Sequence, residues 1–285
     1  MRAETFDTPG PVELDVHLAA GEVRLEAAES TETTVRLEPL KDNEATSKAI
    51  AEARVELRGG VDRHQVIVDL RGRTRFFRGV EVLVDVQCPQ RAGLQAKLGS
   101  ADLRGNGRLG SIDVSTGSGS VELAEIDADA KINTASGDVE VGEIGGQARM
   151  NTASGDVQLG SVAGDVDVNT ASGDITIRDV GGRLAARSAS GEVLVQEARS
   201  SVSVNTASGD QTVGRLSEGT AELKSASGDL TVGIKEGSTL WVDARSRSGT
   251  VRSDLPVSET PPEGEPPHVE LKANTMSGDI EIRRA

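Results

Sequence analysis

An acidic residue recurs at one fixed place in this chain, directly after a serine–glycine pair: Asp138, Asp156, Asp174, Glu192, Asp210 and Asp229. Carboxylates at a constant interval can do one of two things. They can gather a hard cation such as Ca²⁺, which takes about six to eight oxygens. Or each can accept hydrogen bonds from turn N–H groups, as Asp does in Asx turns. The calcium-binding nonapeptide repeat requires the order G-G-x-G-x-D-x-U-x. Here one glycine precedes the acid and an aliphatic residue follows at once, as in Ser154-Gly155-Asp156-Val157. That order favours backbone bonding and leaves a calcium column at Asp138, Asp156, Asp174 and Asp210 as the alternative. Carboxylates stacked about 4.8 Å apart repel by about 0.9 kcal/mol in water before screening, which requires no bound ion.

A second column holds amides, Asn133, Asn151, Asn169 and Asn205, with Arg187 breaking it. Stacked amides can bond from rung to rung. The neighbouring Thr134, Thr152, Thr170 and Thr206 would suit ice binding only within a flat threonine array. The outward strand positions Glu140, Gln158, Thr176 and Leu194 form no such array. Acid–base and nucleophilic chemistry find little material. His17, His64 and His268 are scattered, and none pairs with the lone cysteine or a serine at an interpretable spacing. Glycine-rich corners such as Gly142-Glu143-Ile144-Gly145-Gly146-Gln147 lack the lysine and serine of a phosphate loop. Trp241, between Leu240 and Val242, reads as a plug in a widened rung, with a sugar-stacking platform as the alternative. The expectation is a protein that is no enzyme and uses no cofactor.

Such columns require elements that repeat in register. The serine of the pair falls at Ser118, Ser136, Ser154, Ser172, Ser190 and Ser208, always 18 residues apart. The frame reaches back to Ser100 and, with wider spacing, forward through Ser227, Ser248 and Ser277. A half-period of nine links Gly137, Gly146, Gly155, Gly164, Gly173, Gly182 and Gly191. Aliphatic residues fall at the second, fourth and seventh places after each glycine: Val157, Leu159, Val162, then Val166, Val168, Ala171. The V-x-V pair has the period of a strand, and the third position lies past a two-residue corner. A helix would need 3.6-residue spacing and few glycines. Repeats of identical sequence are best accommodated when each copy stacks on the last, which pairs every backbone group with the next rung. The pattern therefore predicts an all-β fold, a right-handed parallel β-solenoid (β-helix) with 18-residue coils and about two strands per coil. Its hand follows that of parallel crossovers in general.

Residues 1–96 do not keep this frame but alternate in the same way, as in Val80-Glu81-Val82-Leu83-Val84-Asp85-Val86. Cys88 continues that inward parity and reads as a buried small hydrophobe. The run from Asp42 to Ala53 predicts one short helix, capped by Asp42, that covers the end or flank of the solenoid. Phe76 and Phe77, after Arg71, Arg73 and Arg75, are expected to pack at the junction. The domain reading is a β-rich segment 1–96 continuous with a regular solenoid 97–285, with a Pro- and Glu-rich loop over 256–268.

Composition narrows the partners. With 285 residues, 33 Gly, only four aromatics and a net charge of −15, the core must be aliphatic. The charge would repel nucleic-acid phosphates and anionic lipid surfaces. No apolar run is long enough for a membrane helix, and the start, MRAETFDTPGP, lacks the pattern of a secretory signal. A single cysteine fits a reducing compartment. Cytoplasmic localisation is expected on these grounds.

The NTASGDV-x-V repeats, preceded by Gly21-Glu22-Val23-Arg24-Leu25 and a short helix, resemble the DUF4097 family of bacterial adhesin-like proteins. The resemblance covers most of the chain and implies a β-helical or β-solenoid scaffold with a surface or envelope association. It brings no catalytic residue or cofactor. The function expected is a non-enzymatic scaffold or adhesin-like protein presenting a rigid acidic surface for protein interaction. Its alternatives are a cytosolic self-assembling filament or scaffold subunit and, behind it, a carbohydrate-active enzyme. A protein partner or self-association is implied, and sugar binding would follow only from the last.

Overall fold

Side-chain alternation decides the architecture, and burial follows it rung by rung. The computed structural model describes residues 1–60, 63–70, 79–255 and 268–285. By contact the chain divides into two units, Met1–Gly145 and Gly146–Ala285. Each is a parallel β-solenoid, and a single short helix lies in the first among the described residues.

In the second unit one coil consists of strand Val166–Ser172, a corner at Gly173-Asp174, strand Ile175–Val180 and a corner at Gly181-Gly182. The next coil repeats it in parallel, with Val166 beside Leu184 and Ile175 beside Val193. Val166, Val168, Ile175, Ile177 and Val180 are buried, each stabilising the fold by about 2 kcal/mol relative to exposure. Alternation on the first strand runs one step further than the sequence suggests. Thr170 points inward, while Ala171, the expected inward residue, is exposed. The strand keeps its period of two as far as Ala171, so the corner comes later than Asn169-Thr170. On the second strand the two-residue step is real, since Ile177 and Val180 are both inward.

The two glycine columns have different causes. Gly173 has a φ of +142°, and a Cβ there would overlap the Gly155 carbonyl. Gly182, in the other column, is outside the left-handed region, but its Cβ would meet the Gly164 backbone.

The C-terminal rungs are not stacked in chain order. Strand Gly219–Ser227 pairs with Val269–Ser277, and Leu230–Ile234 pairs with Ile280–Arg284. Only beyond these lie Leu240–Ser246 and Val251–Ser253, which form the outermost rung. The last coil in the chain is thus slotted inside the one that precedes it.

The first unit does the same at the other terminus. Strand Val12–Ala28 runs through a full coil and pairs in parallel with Gly93–Leu109 on one side. On its other side it pairs with Arg63–Asp69 and Val82–Pro89. Further coils follow from Gly93–Leu109 through Ile112–Thr116 and Val121–Ile126 to Ala130–Thr134 and Val139–Ile144. The outer strands then turn antiparallel. Arg54–Gly60 pairs with Arg63–Asp69, Glu32–Pro39 with Val82–Pro89, and Arg2–Asp7 with Glu32–Pro39.

Helix Glu44–Glu52 joins two of these outer strands and buries Thr46, Ala49 and Ile50. Its cap is Asn43 rather than Asp42: the Asn43 Oδ1 accepts the Thr46 N–H at 2.7 Å. That contact needs the cap three residues before the donor, and Asn43 has that spacing. The Arg2 guanidinium donates to the carbonyls of Ile50 (3.3 Å) and Ala53 (2.6 Å) at the helix end. Cys88 is 1% exposed, and burial pushes its thiol up to about 12. Phe76, Phe77 and the arginines before them lie outside the described residues, as does 256–267 of the Pro- and Glu-rich segment.

Candidate functional site

The corners bring the acidic column together as a hydrogen-bonded ladder. Asp156 Oδ1 accepts the Asp174 N–H at 2.9 Å, and Asp174 Oδ1 accepts the Glu192 N–H at 2.8 Å. Asp210 serves Asp229 in the same way at 2.8 Å. The expected backbone role is therefore present, but the N–H belongs to the next rung rather than to the local turn. A positive-φ glycine turns the following N–H out of the sheet ladder, and a short carboxylate one rung away replaces the lost acceptor. Glu192 is a methylene longer, and no such bond joins it to Asp210 among the described residues.

The ladder also traces the threading of the C-terminal end. Asp229 Oδ1 accepts the Asp279 N–H at 2.7 Å across 50 residues, and Asp279 Oδ1 accepts the Thr250 N–H at 2.8 Å. Hydrogen bonds from Thr250 hold the Asp279 carboxyl below its ordinary value. Among the described residues no three His, Cys, Asp or Glu side chains are placed to hold a metal ion.

Arg187 does not break the amide column but extends it. Asn169 Nδ2 donates to Asn151 Oδ1 at 3.3 Å, and the Arg187 guanidinium donates to Asn169 Oδ1 at 3.2 Å. Asn205 turns to Ser203 instead, at 3.5 Å. Thr134, Thr152, Thr170 and Thr206 face the core, so the threonines form an internal column. Where their hydroxyls are satisfied they close the corner, as when Thr134 Oγ1 accepts the Gly137 N–H at 3.0 Å. Sequence reasoning missed Gln211, which occupies an inward aliphatic position and is fully buried. Its amide donates to Thr206 Oγ1 (2.8 Å) and the Lys224 carbonyl (2.7 Å). The signal was a polar residue where the frame calls for Val or Ile.

The histidines stay apart. His17 is buried with its Nε2 at 2.8 Å from Asp15 Oδ1, a pair whose one-residue gap the sequence reading passed over. At 6% exposure it offers nothing to a substrate from solvent. His64 bonds the Pro9 carbonyl, and His268 bonds Thr239. Trp241 is not a plug: it stands at an outward position of Leu240–Ser246, beside Glu270, with the Lys272 ammonium 5.9 Å from the ring centre.

Two surfaces remain as candidates. In the first unit the exposed Glu122 and Glu140 stack on adjacent strands, as do Glu125 and Glu143. Arg104 and Arg108 answer Glu122 and Glu125. In the second unit the outermost rung leaves a cleft of about 530 Å³ lined by Trp241, Val242, Ala244, Val251, Ser253 and Ile282, among others.

The Toastrack DUF4097 family model matches residues 12–283. The chain belongs to the DUF4097 family. No curated protein matches this DUF4097 sequence. Solved structures similar over nearly the whole chain include three. One is a candidate lipid-binding protein from Parabacteroides distasonis ATCC 8503, at 13% identity, covering 99% of this chain and 96% of that one, with a TM-score of 0.46. Another is a candidate adhesin from Parabacteroides merdae ATCC 43184, at 12% identity, 98% and 94% coverage, and a TM-score of 0.36. The third is a candidate cell adhesion protein from Clostridium sporogenes ATCC 15579, at 11% identity, 100% and 99% coverage, and a TM-score of 0.26. These comparisons indicate no catalytic family for this DUF4097 chain. Among its described residues no helix is long and apolar enough to cross a membrane.

Proposed function

We propose that this DUF4097 chain is a non-enzymatic scaffold whose acidic face binds a protein partner, in an adhesion or envelope-associated role. The observation that carries this reading is the glutamate block on strands Val121–Ile126 and Val139–Ile144. Glu140 and Glu143 carry no ion pair of their own among the described residues, and their backbone is fixed by parallel pairing to the neighbouring coil. The dent beside Glu122 and Glu140 has a volume of about 240 Å³. Small-molecule pockets start at roughly 300 Å³, so the surface suits contact with another surface. Glu140 and Glu143, beside the arginine-answered Glu122 and Glu125, would select a partner with a lysine- or arginine-rich patch, mainly by speeding and orienting the encounter.

The test is a photo-crosslinking residue at Glu140, activated in cells. A discrete protein adduct, lost when Glu122 and Glu143 are changed to Lys, is the expected result. An adduct indifferent to that reversal would count against the acidic face. Turnover or retention of glycans by the purified protein would replace the scaffold reading with a carbohydrate-active one. Fractionation of the same cells places the adduct in the envelope or in the cytosol.

A further inference from the structure

The two ends of this chain are finished differently. At the N-terminal end the outermost strands run antiparallel to the coils and carry charges along their edges: Arg2, Glu4 and Asp7 on one, Arg54, Glu56 and Arg58 on the other. Antiparallel, charged and short edges discourage further pairing. At the C-terminal end nothing among the described residues continues the stack. Among the described residues, Leu240–Ser246 and Val251–Ser253 are each paired on one side only. Their inward residues show it: Val251 is 46% exposed, whereas Ile280, one rung in, is 0%. Leu240, Val242 and Ala244 are half-buried in place of the full burial of Val269, Leu271 and Ala273.

The charges along this open edge select an occupant. The outward residues of the strand and its extension read Trp241, Asp243, Arg245, Arg247. Two copies of the strand meeting antiparallel about a two-fold axis keep their outward faces together only if the axis passes through a residue. An axis at Asp243 sets Asp243 against its own copy, and an axis at Arg245 does the same to Arg245. An axis at Ala244 sets Asp243 against Arg245 of the second copy, twice, and Trp241 against Arg247 of the second copy, also twice. Opposite charges and cation–aromatic pairs are the favourable cross-strand neighbours. The other strand agrees independently. Ser253 lines the same cleft as Ala244, and an axis through Ser253 sets Arg252 against Asp254 of the second copy.

We propose that this chain forms a closed two-fold dimer through its outermost C-terminal rung, the strand Leu240–Ser246 pairing antiparallel with itself about Ala244. The pairing extends both stacks of strands and covers the half-buried row Val242, Ala244 and Val251. A two-fold contact uses the same patch on both copies and stops at two. The dimer doubles whatever the acidic face binds, but its existence does not depend on that partner.

Sedimentation velocity over a wide concentration range tests it with the full chain. One species of twice the chain mass is expected. Asp243→Arg alone, and Arg245→Asp alone, place like charges opposite each other and should weaken association by roughly tenfold or more. Mixing the two variants restores both opposite-charge pairs, and the dimer should return as a heterodimer. Ala244→Cys, on the axis, should form a disulfide-linked dimer on mild oxidation, while Ala171→Cys, exposed near the end of its strand, should not. The native Cys88 is buried and does not interfere. A parent that stays monomeric, a filament, or a dimer unmoved by the single charge changes would each overturn the proposal, as would failure of the mixture to recover when both variants melt like the parent.

Discussion

At the scale of single residues, parity carries most of the stability. Val157 is fully buried while Gln158, its neighbour on the same strand, is exposed. Val157→Asp should cost about 3 kcal/mol or more, because it buries an unpaired carboxylate, and Gln158→Asp should shift stability by under about 0.5 kcal/mol. Thermal melts of the two variants check this, and equal damage would reverse the strand assignment. The acidic ladder makes a second prediction. With Asp156, Asp174, Asp210 and Asp229 already engaged by backbone N–H groups, millimolar Ca²⁺ should raise the melting temperature no more than Mg²⁺ at matched ionic strength. Asp156→Asn with Asp174→Asn should leave that flat response unchanged, whereas a calcium-specific rise that vanishes in the variant would establish the ion site. The pH dependence has a definite sign. Glu22 is held below the usual carboxylate range by its bonds to Arg24 and Arg104, and Asp279 by Thr250. A lowered folded value means that the stability these groups add is present above about pH 4.5 and is lost as the pH falls through their folded values. The difference in melting temperature between the parent and Asp279→Asn should therefore shrink on acidification. Acid titration of both proteins measures it.

At the scale of elements, the coils were legible because two signals coincide in them: a glycine every nine residues and aliphatic alternation between. Glycine marks the corners where backbone meets backbone, and alternation marks the face. Residue type places the first corner too early, since Thr170 is polar but points inward, and its hydroxyl can be buried beside a corner. The helix was legible in outline but not its cap, because Asp42 and Asn43 are both competent and only the spacing to Thr46 separates them. Asn43→Ala should cost about 1 kcal/mol, while Asp42→Ala should cost little. Urea unfolding of the two variants distinguishes the caps. The Asn–Arg column was read as interrupted for a similar reason: residue type suggested a break where the guanidinium supplies the same donor as the amide.

At the scale of the whole molecule, the order of rungs could not be read from spacing. The wider intervals of 21 and 29 residues before Ser248 and Ser277 carry no sign of it. The strands described within them step one rung outward, at Leu240–Ser246, and back inward, at Val269–Ser277. The consequence is measurable, because amides of Val269–Ser277 are sandwiched between two strands and those of Leu240–Ser246 are not. Hydrogen exchange should find the later strand the better protected, and the opposite order would contradict the threading. Truncation before Val269 should strip the outermost rung as well, since among the described residues that rung pairs with nothing else. Both chain ends are held in this way, with Val12–Ala28 enclosed between coils formed by later residues. In-frame duplication of an 18-residue coil within 154–208 leaves both of these enclosed strands untouched, so the second unit can lengthen by copy number where the sequence is most nearly identical to itself.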